Sequence, residues 1–222
     1  MFKRKLTTGD FALILVNLVP LYGVWFREWD ARQVFLVYCL ETVIIGVFNV
    51  LKMAAVTIFV KPKDEWQNAG SSSMQSGWFF ILFFIVHYGI FVFVQTQIFF
   101  SVSGLVKDGS IFGKYARIPQ MLGDNGLQLL LVFIGYYLLQ TIYDFFIRGR
   151  YKTISMGRLM FEPYGRIFIQ QFVVIVGSIF LSFGAGKIFI LVLVTVKIFF
   201  EVFFSFERIL NLAEKKEKEN KD

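Results

Sequence analysis

Cysteine, histidine and proline are scarce in this chain, and each shortage removes a class of explanation. The single cysteine, Cys39, excludes an intrachain disulfide, and its apolar surroundings suit a small packing residue better than a reactive thiol. With one histidine, His87, the chain is poor in the ligands that zinc or copper prefer. No metal site is therefore expected. The weak candidates for a hard metal are Glu41, His87 and Glu201, and only if their helices meet. A haem held by His87 alone is weaker still, so no cofactor is legible. The patterns H-E-x-x-H, G-x-S-x-G and G-x-x-x-x-G-K-[ST] are absent, which leans the reading away from an enzyme. Four prolines leave long stretches unbroken. Pro62, Pro119 and Pro163 fall in connections, and only Pro20 falls in a span, which it should kink or end near the outer end.

What the chain has in abundance is apolar surface. Its 222 residues are 56% hydrophobic and 19% aromatic, with 29 Phe and a mean hydropathy of +0.63. A soluble domain of this length would not need so much. Six stretches, 10–26, 33–59, 78–103, 127–147, 166–184 and 187–209, approach or exceed the roughly 20 residues that cross about 30 Å of hydrocarbon. The expected fold class is an all-α integral membrane bundle of about six transmembrane helices. Residues 1–209 form one transmembrane domain, and 210–222, which include the run AEKKEKENKD, form a charged cytoplasmic tail. The start MFKRK followed by FALILVNLVPLYGVWF resembles a signal sequence but lacks an A-x-A site, so an uncleaved first span is expected.

A net charge of +7 raises the question of a nucleic-acid partner, but its distribution answers against one. The basic residues cluster between spans and at the ends. Fifteen of the twenty-three Lys and Arg fall on the side shared by the termini, the 60–77 loop and the 148–166 region; six fall opposite, near Arg27, Lys107 and Lys187. The positive-inside rule then puts both termini in the cytoplasm and the protein, multi-pass, in the inner (cytoplasmic) membrane with the lipid bilayer as partner. Trp25, Trp29, Trp66 and Trp78 flank span ends, where indoles favour the interface. The 61–77 segment reads as a polar linker, and 104–126 as a connection lying on the outer surface. The 151–163 stretch reads as a short basic interfacial helix.

Charge inside the spans is the informative feature. Glu41, Ile45, Phe48 and Lys52 share one helical face, but Glu41 and Lys52 lie roughly 16 Å apart along it and cannot pair. Each needs a partner elsewhere, although Lys52 can snorkel to the headgroups. Lys197, Glu201, Ser205 and Arg208 form a second stripe, in which Lys197 and Glu201 can meet within their own helix. Tyr137, Gln140 and Asp144 form a third, and Lys52 with Asp144 near the interface would be a structural pair. His87 and Gln95 mark the third span, Gln170, Gln171, Ser178 and Ser182 the fifth, and Asn49 adds a polar group to the second. Each buried ionisable group costs about 2.5–3.5 kcal/mol on insertion scales, so these groups face the bundle interior, a partner or water.

The segments LVNLVPLYGVWF, VYCLETVIIGVFNVLKM, FFIVHYGIFVFV and VKIFFEVFFSFER resemble a bacterial and archaeal family of membrane proteins of unknown function. The features are Asn17-Leu-Val-Pro20, Glu41, Gly46, Asn49, Lys52, His87-Tyr88-Gly89, and Lys197 with Glu201. The resemblance implies the six-span architecture and a shared polar pattern, but no activity. From the residues, the expected function is a transporter or channel for protons, ions or a small solute. Its pathway candidates are Glu41, His87, Lys197, Glu201, Asn49 and Asp144, and a homo-oligomer is expected to complete so small a bundle. The alternatives are a membrane-embedded enzyme or cofactor binder centred on His87, and a scaffold whose charges only fix helix register.

Overall fold

A computed structural model describes residues 8–60, 63–68, 71–104 and 109–203. The basic start of the chain, the last turns of the sixth span and the 210–222 tail lie outside the described residues. Eight α-helices follow in order: α1 (Thr8–Phe26), α2 (Ala31–Phe59), α3 (Gly77–Ser103), α4 (Ile111–Ala116), α5 (Ile118–Gln140), α6 (Met156–Phe161), α7 (Tyr164–Ser182) and α8 (Gly186–Phe203). Five segments, Gly9–Phe26, Ala31–Phe59, Gly77–Ser101, Ile111–Ile147 and Met156–Gly177, are long and apolar enough to cross a membrane, and α8 is the sixth candidate. Their outward faces carry large apolar side chains, among them Leu82, Val86 and Ile90 on α3, Leu131 and Leu138 on α5, and Phe168, Phe172 and Ile175 on α7. In water such a surface would drive aggregation; against lipid tails it is ordinary.

The second helix is the hub. It packs against α1, α3, α5, α6, α7 and α8, and buries the unbroken run Val34, Phe35, Leu36, Val37, Tyr38 and Cys39, and Glu41 beyond the half-buried Leu40. Its start is set by Asp30, whose carboxylate accepts from the Arg32 backbone N–H at 2.8 Å and from the Arg32 guanidinium. Near the middle, Gly46 lets α3 come close: a Cβ there would lie 2.6 Å from the Tyr88 ring. Tyr88 uses that space to donate from its hydroxyl to the Thr42 carbonyl at 2.9 Å.

Several connections differ from the sequence reading. α1 continues through Pro20 to Phe26. The segment expected as a polar linker pairs its backbone as an antiparallel hairpin, β1 (Lys63–Asn68) against β2 (Ser71–Ser76). α5 begins before its expected start, is broken at Gly123 (φ +58°) and ends in a π-helical stretch, Thr141–Ile147.

The largest departure is α6. Its Met156, Leu159 and Met160, at i, i+3 and i+4, are wholly buried against α2 and α3, where headgroup contact was expected. Asn49 donates to the Leu159 carbonyl at 2.9 Å, and Thr57 lies near the Met156 sulfur. Leu159 is thus level with a residue ten positions, about 15 Å, inside the end of α2. An apolar face and a donor for its open carbonyl make burial more favourable than an interface. The chain then breaks at Glu162-Pro163 and restarts as α7, so α7 begins well inside the bundle. Arg150 holds Glu162 at 2.6 Å and ties this segment together.

Candidate functional site

Where α2, α5, α7 and α8 converge, Glu41 is buried to 2% exposure. One carboxylate oxygen accepts from the Tyr137 hydroxyl of α5 at 2.6 Å, and the other accepts from the Lys197 ammonium of α8 in a direct ion pair. Lys197, itself 3% exposed, sits over two rings, its Nζ 4.7 Å from the Tyr38 centroid and 5.0 Å from that of Phe133. These faces supply negative potential where water is excluded. Arg166, two residues into α7, donates to the Tyr137 oxygen at 3.2 Å and lies 5.7 Å from the Tyr137 ring centroid. Tyr137 therefore bridges a carboxylate and a guanidinium through one oxygen.

Around this core, Gln170 donates to the Tyr38 carbonyl at 2.7 Å, and Gln95 of α3 donates to the Thr42 hydroxyl at 3.3 Å. Beside the ion pair lies a cavity lined by Glu41, Thr42, Ile45, Tyr88, Arg166, Ile167, Gln170 and Lys197. It has the room of roughly one water molecule.

The structure brings together two of the residues singled out from sequence, Glu41 and Lys197, and sets His87, Asn49 and Asp144 apart from that pair. His87 is exposed on the outward side of α3, stacked on Phe91 (centroids 5.4 Å apart) and edge-on to Tyr164 (5.5 Å); it does not line the cavity. Asn49 is buried and committed to Leu159. Asp144 pairs with Arg148 at 3.3 Å on the outside of the π-helical stretch. Lys52 lies near the Phe145 ring, 5.9 Å from its centroid, and is not paired with Asp144. The side chain of Glu201 lies outside the described residues, and the contact shown for Lys197 is Glu41. Among the described residues no three His, Cys, Asp or Glu side chains converge.

Sequence pattern alone does not mark Arg166, Thr42 or Tyr88 as cavity residues. Arg166 reads as part of the loop it borders; the signal for it is Pro163, a helix-start residue three positions earlier. Tyr88 stood beside the more conspicuous His87.

Apolar outward faces, spans of membrane length and a charged centre at their convergence define a class: an α-helical bundle with five to six helices long and apolar enough to span a membrane. The chain belongs to DUF6498, a family of unknown function, which it matches over residues 1–222. No curated protein and no solved structure matches it.

Proposed function

We propose that the protein is a multi-pass membrane transporter that moves protons, ions or a small solute, with Glu41 as the group that exchanges. The observation that carries this reading is the buried Glu41–Lys197 pair, bridged through Tyr137 to Arg166 and lying against a cavity where four helices meet. An ion pair costs several kcal/mol of desolvation per charge, and an intramembrane ionisable residue marks a pathway or relay by default. A discontinuous helix whose second half starts beside a charged pocket, as α6–α7 does, recurs in transporters as the element that forms the binding site. A cofactor site on His87 has less support, because His87 points away from the cavity.

In this reading both termini face the cytoplasm, from the excess of Lys and Arg on their side, and the bundle sits in the inner (cytoplasmic) membrane. A symmetric homo-oligomer would lengthen the path beyond what one small bundle encloses. The test is reconstitution into liposomes loaded with a pH-sensitive dye. Wild-type protein is expected to relax an imposed proton gradient in the presence of transportable solute, and Glu41→Gln to lose that flux while remaining folded. A fully active Glu41→Gln protein would make Glu41 a structural residue and defeat the proposal.

A further inference from the structure

We infer that α6 is a gate, a short plug that closes the Glu41 cavity toward the Phe59 end of α2 and opens it to that side when it withdraws. The inference rests on the transport reading and assigns the regulation of that same site. Position along α2 points to it first. The cavity meets α2 at Glu41, Thr42 and Ile45, whereas α6 meets it from Asn49 to Thr57. Between the cavity and that end of the bundle, the buried face of α6 packs with Met53 and Val56 of α2 and with Phe80 and Phe84 of α3. Tyr88 and Ile167 belong to this cluster and also line the cavity, so plug and cavity wall are continuous.

The two ends of the bundle are filled differently. Toward the Ala31 end, Phe35 packs against Phe99 and Phe189, with ring centroids 5.3 and 4.9 Å apart, and all three stand on long helices, α2, α3 and α8. Toward the Phe59 end, part of the filling stands on a helix of six residues. A helix so short is not stable without its packing. Breaks flank it: Gly149, at φ +69°, and the turn Arg150–Lys152 precede it, and Glu162-Pro163 follows it. Two of its three wholly buried side chains are methionines, in the same cluster as Met53, and unbranched thioethers repack readily.

Two ties hold the plug and can be cut singly. Asn49 donates to the Leu159 carbonyl at 2.9 Å, and Arg150 holds Glu162 at 2.6 Å. Thr57 gives its hydroxyl to the Met53 carbonyl of its own helix at 2.9 Å and lies 4.0 Å from the Met156 sulfur. Withdrawal of α6 breaks the Asn49 tie and uncovers Tyr88 and Ile167, and behind them Glu41. Its return closes that side again.

The test uses the full chain in proteoliposomes, with Cys39→Ala removing the native thiol and Ile45→Cys reporting on the cavity. An impermeant methanethiosulfonate is added from one side or the other. With both ties intact, labelling should be slow from either side. Asn49→Leu should speed it about two- to tenfold, the factor one hydrogen bond sets, and only from the side that carries the β1–β2 hairpin. Glu162→Gln cuts the second tie and should act in the same direction, so the test stands if one variant fails to fold. Asp30→Ala, which loosens the far end of α2, should leave the rate unchanged. Unaltered labelling in the tie variants, faster labelling from the opposite side, or equal acceleration by Asp30→Ala overturns the gate. Proton flux in the same vesicles separates the two readings. Flux that depends on Glu41 with unaltered labelling refutes the gate and leaves transport standing. One-sided acceleration with flux indifferent to Glu41→Gln leaves the gate and refutes Glu41 as the exchanging group.

Discussion

Glu41 and Lys197 occupy positions where either charge is costly without the other. Buried ion pairs are often no more stabilising than apolar replacements, but removing one partner strands the other and costs about 3–5 kcal/mol. Lys197→Met should therefore lower stability by that order, and Glu41→Gln/Lys197→Met should recover most of it; unfolding of the two variants in detergent checks this. Equal loss from the single and double changes would show that the pair is not the source. The rescuing partner is Glu41, on another helix. Tyr137→Phe keeps the ring and deletes the bridging hydroxyl. It should cost about 1.5–3 kcal/mol, the range for a hydrogen bond to a charged group, read as a fall in the unfolding midpoint.

The helices are held in register by a few specific contacts around α2. Asp30 caps it. Burial pushes the Asp30 carboxyl upward, but the Arg32 side chain, its backbone N–H and its charge together outweigh that and hold it below its ordinary value. A depressed folded value means that the cap's contribution is present above the unfolded value and lost as pH falls through the folded one. Asp30→Ala should cost about 1 kcal/mol near neutrality, and the gap from wild type should close in acid. Lower in the helix, Asn49 joins α2 to the buried α6. Asn49→Leu leaves the Leu159 carbonyl without that donor and should destabilise by about 1–3 kcal/mol, seen as faster proteolysis between 148 and 165. Gly46→Ala should push Tyr88 off the Thr42 carbonyl; overpacking of this kind costs about 1–3 kcal/mol.

At the level of the whole molecule, the arrangement is one hub helix surrounded by others, with polar groups turned inward and apolar groups outward. In the orientation proposed from the distribution of Lys and Arg, both termini face the cytoplasm. A fluorescent reporter fused to the C-terminus should be active in the cytoplasm, and an accessible cysteine placed at Lys114 should react with an impermeant reagent from outside. Labelling of the 114 position only after the membrane is opened would reverse the assignment.

By itself the sequence determined the helical class, the presence of several helices of membrane length and most of their ends to within a few residues, because hydropathy and chain breaks are local properties. It also determined that Glu41 required a partner, since the cost of a lone buried charge depends on no particular neighbour. Only the tertiary structure decided which partner. Lys197 is 156 positions away and Tyr137 is 96, and nothing local links them. The rotation of each helix was equally hidden. α3 is apolar nearly all round, so its sequence does not say which side faces in. The gap at Gly46 draws in Tyr88 and turns His87, one residue or about 100° away, to the outside. The depth of α6 was hidden for the same reason: a segment with five basic residues around it reads as a surface loop until α2 and α3 offer its apolar face a place to pack. That packing carries Arg166 inward to Tyr137 and the Glu41 cavity.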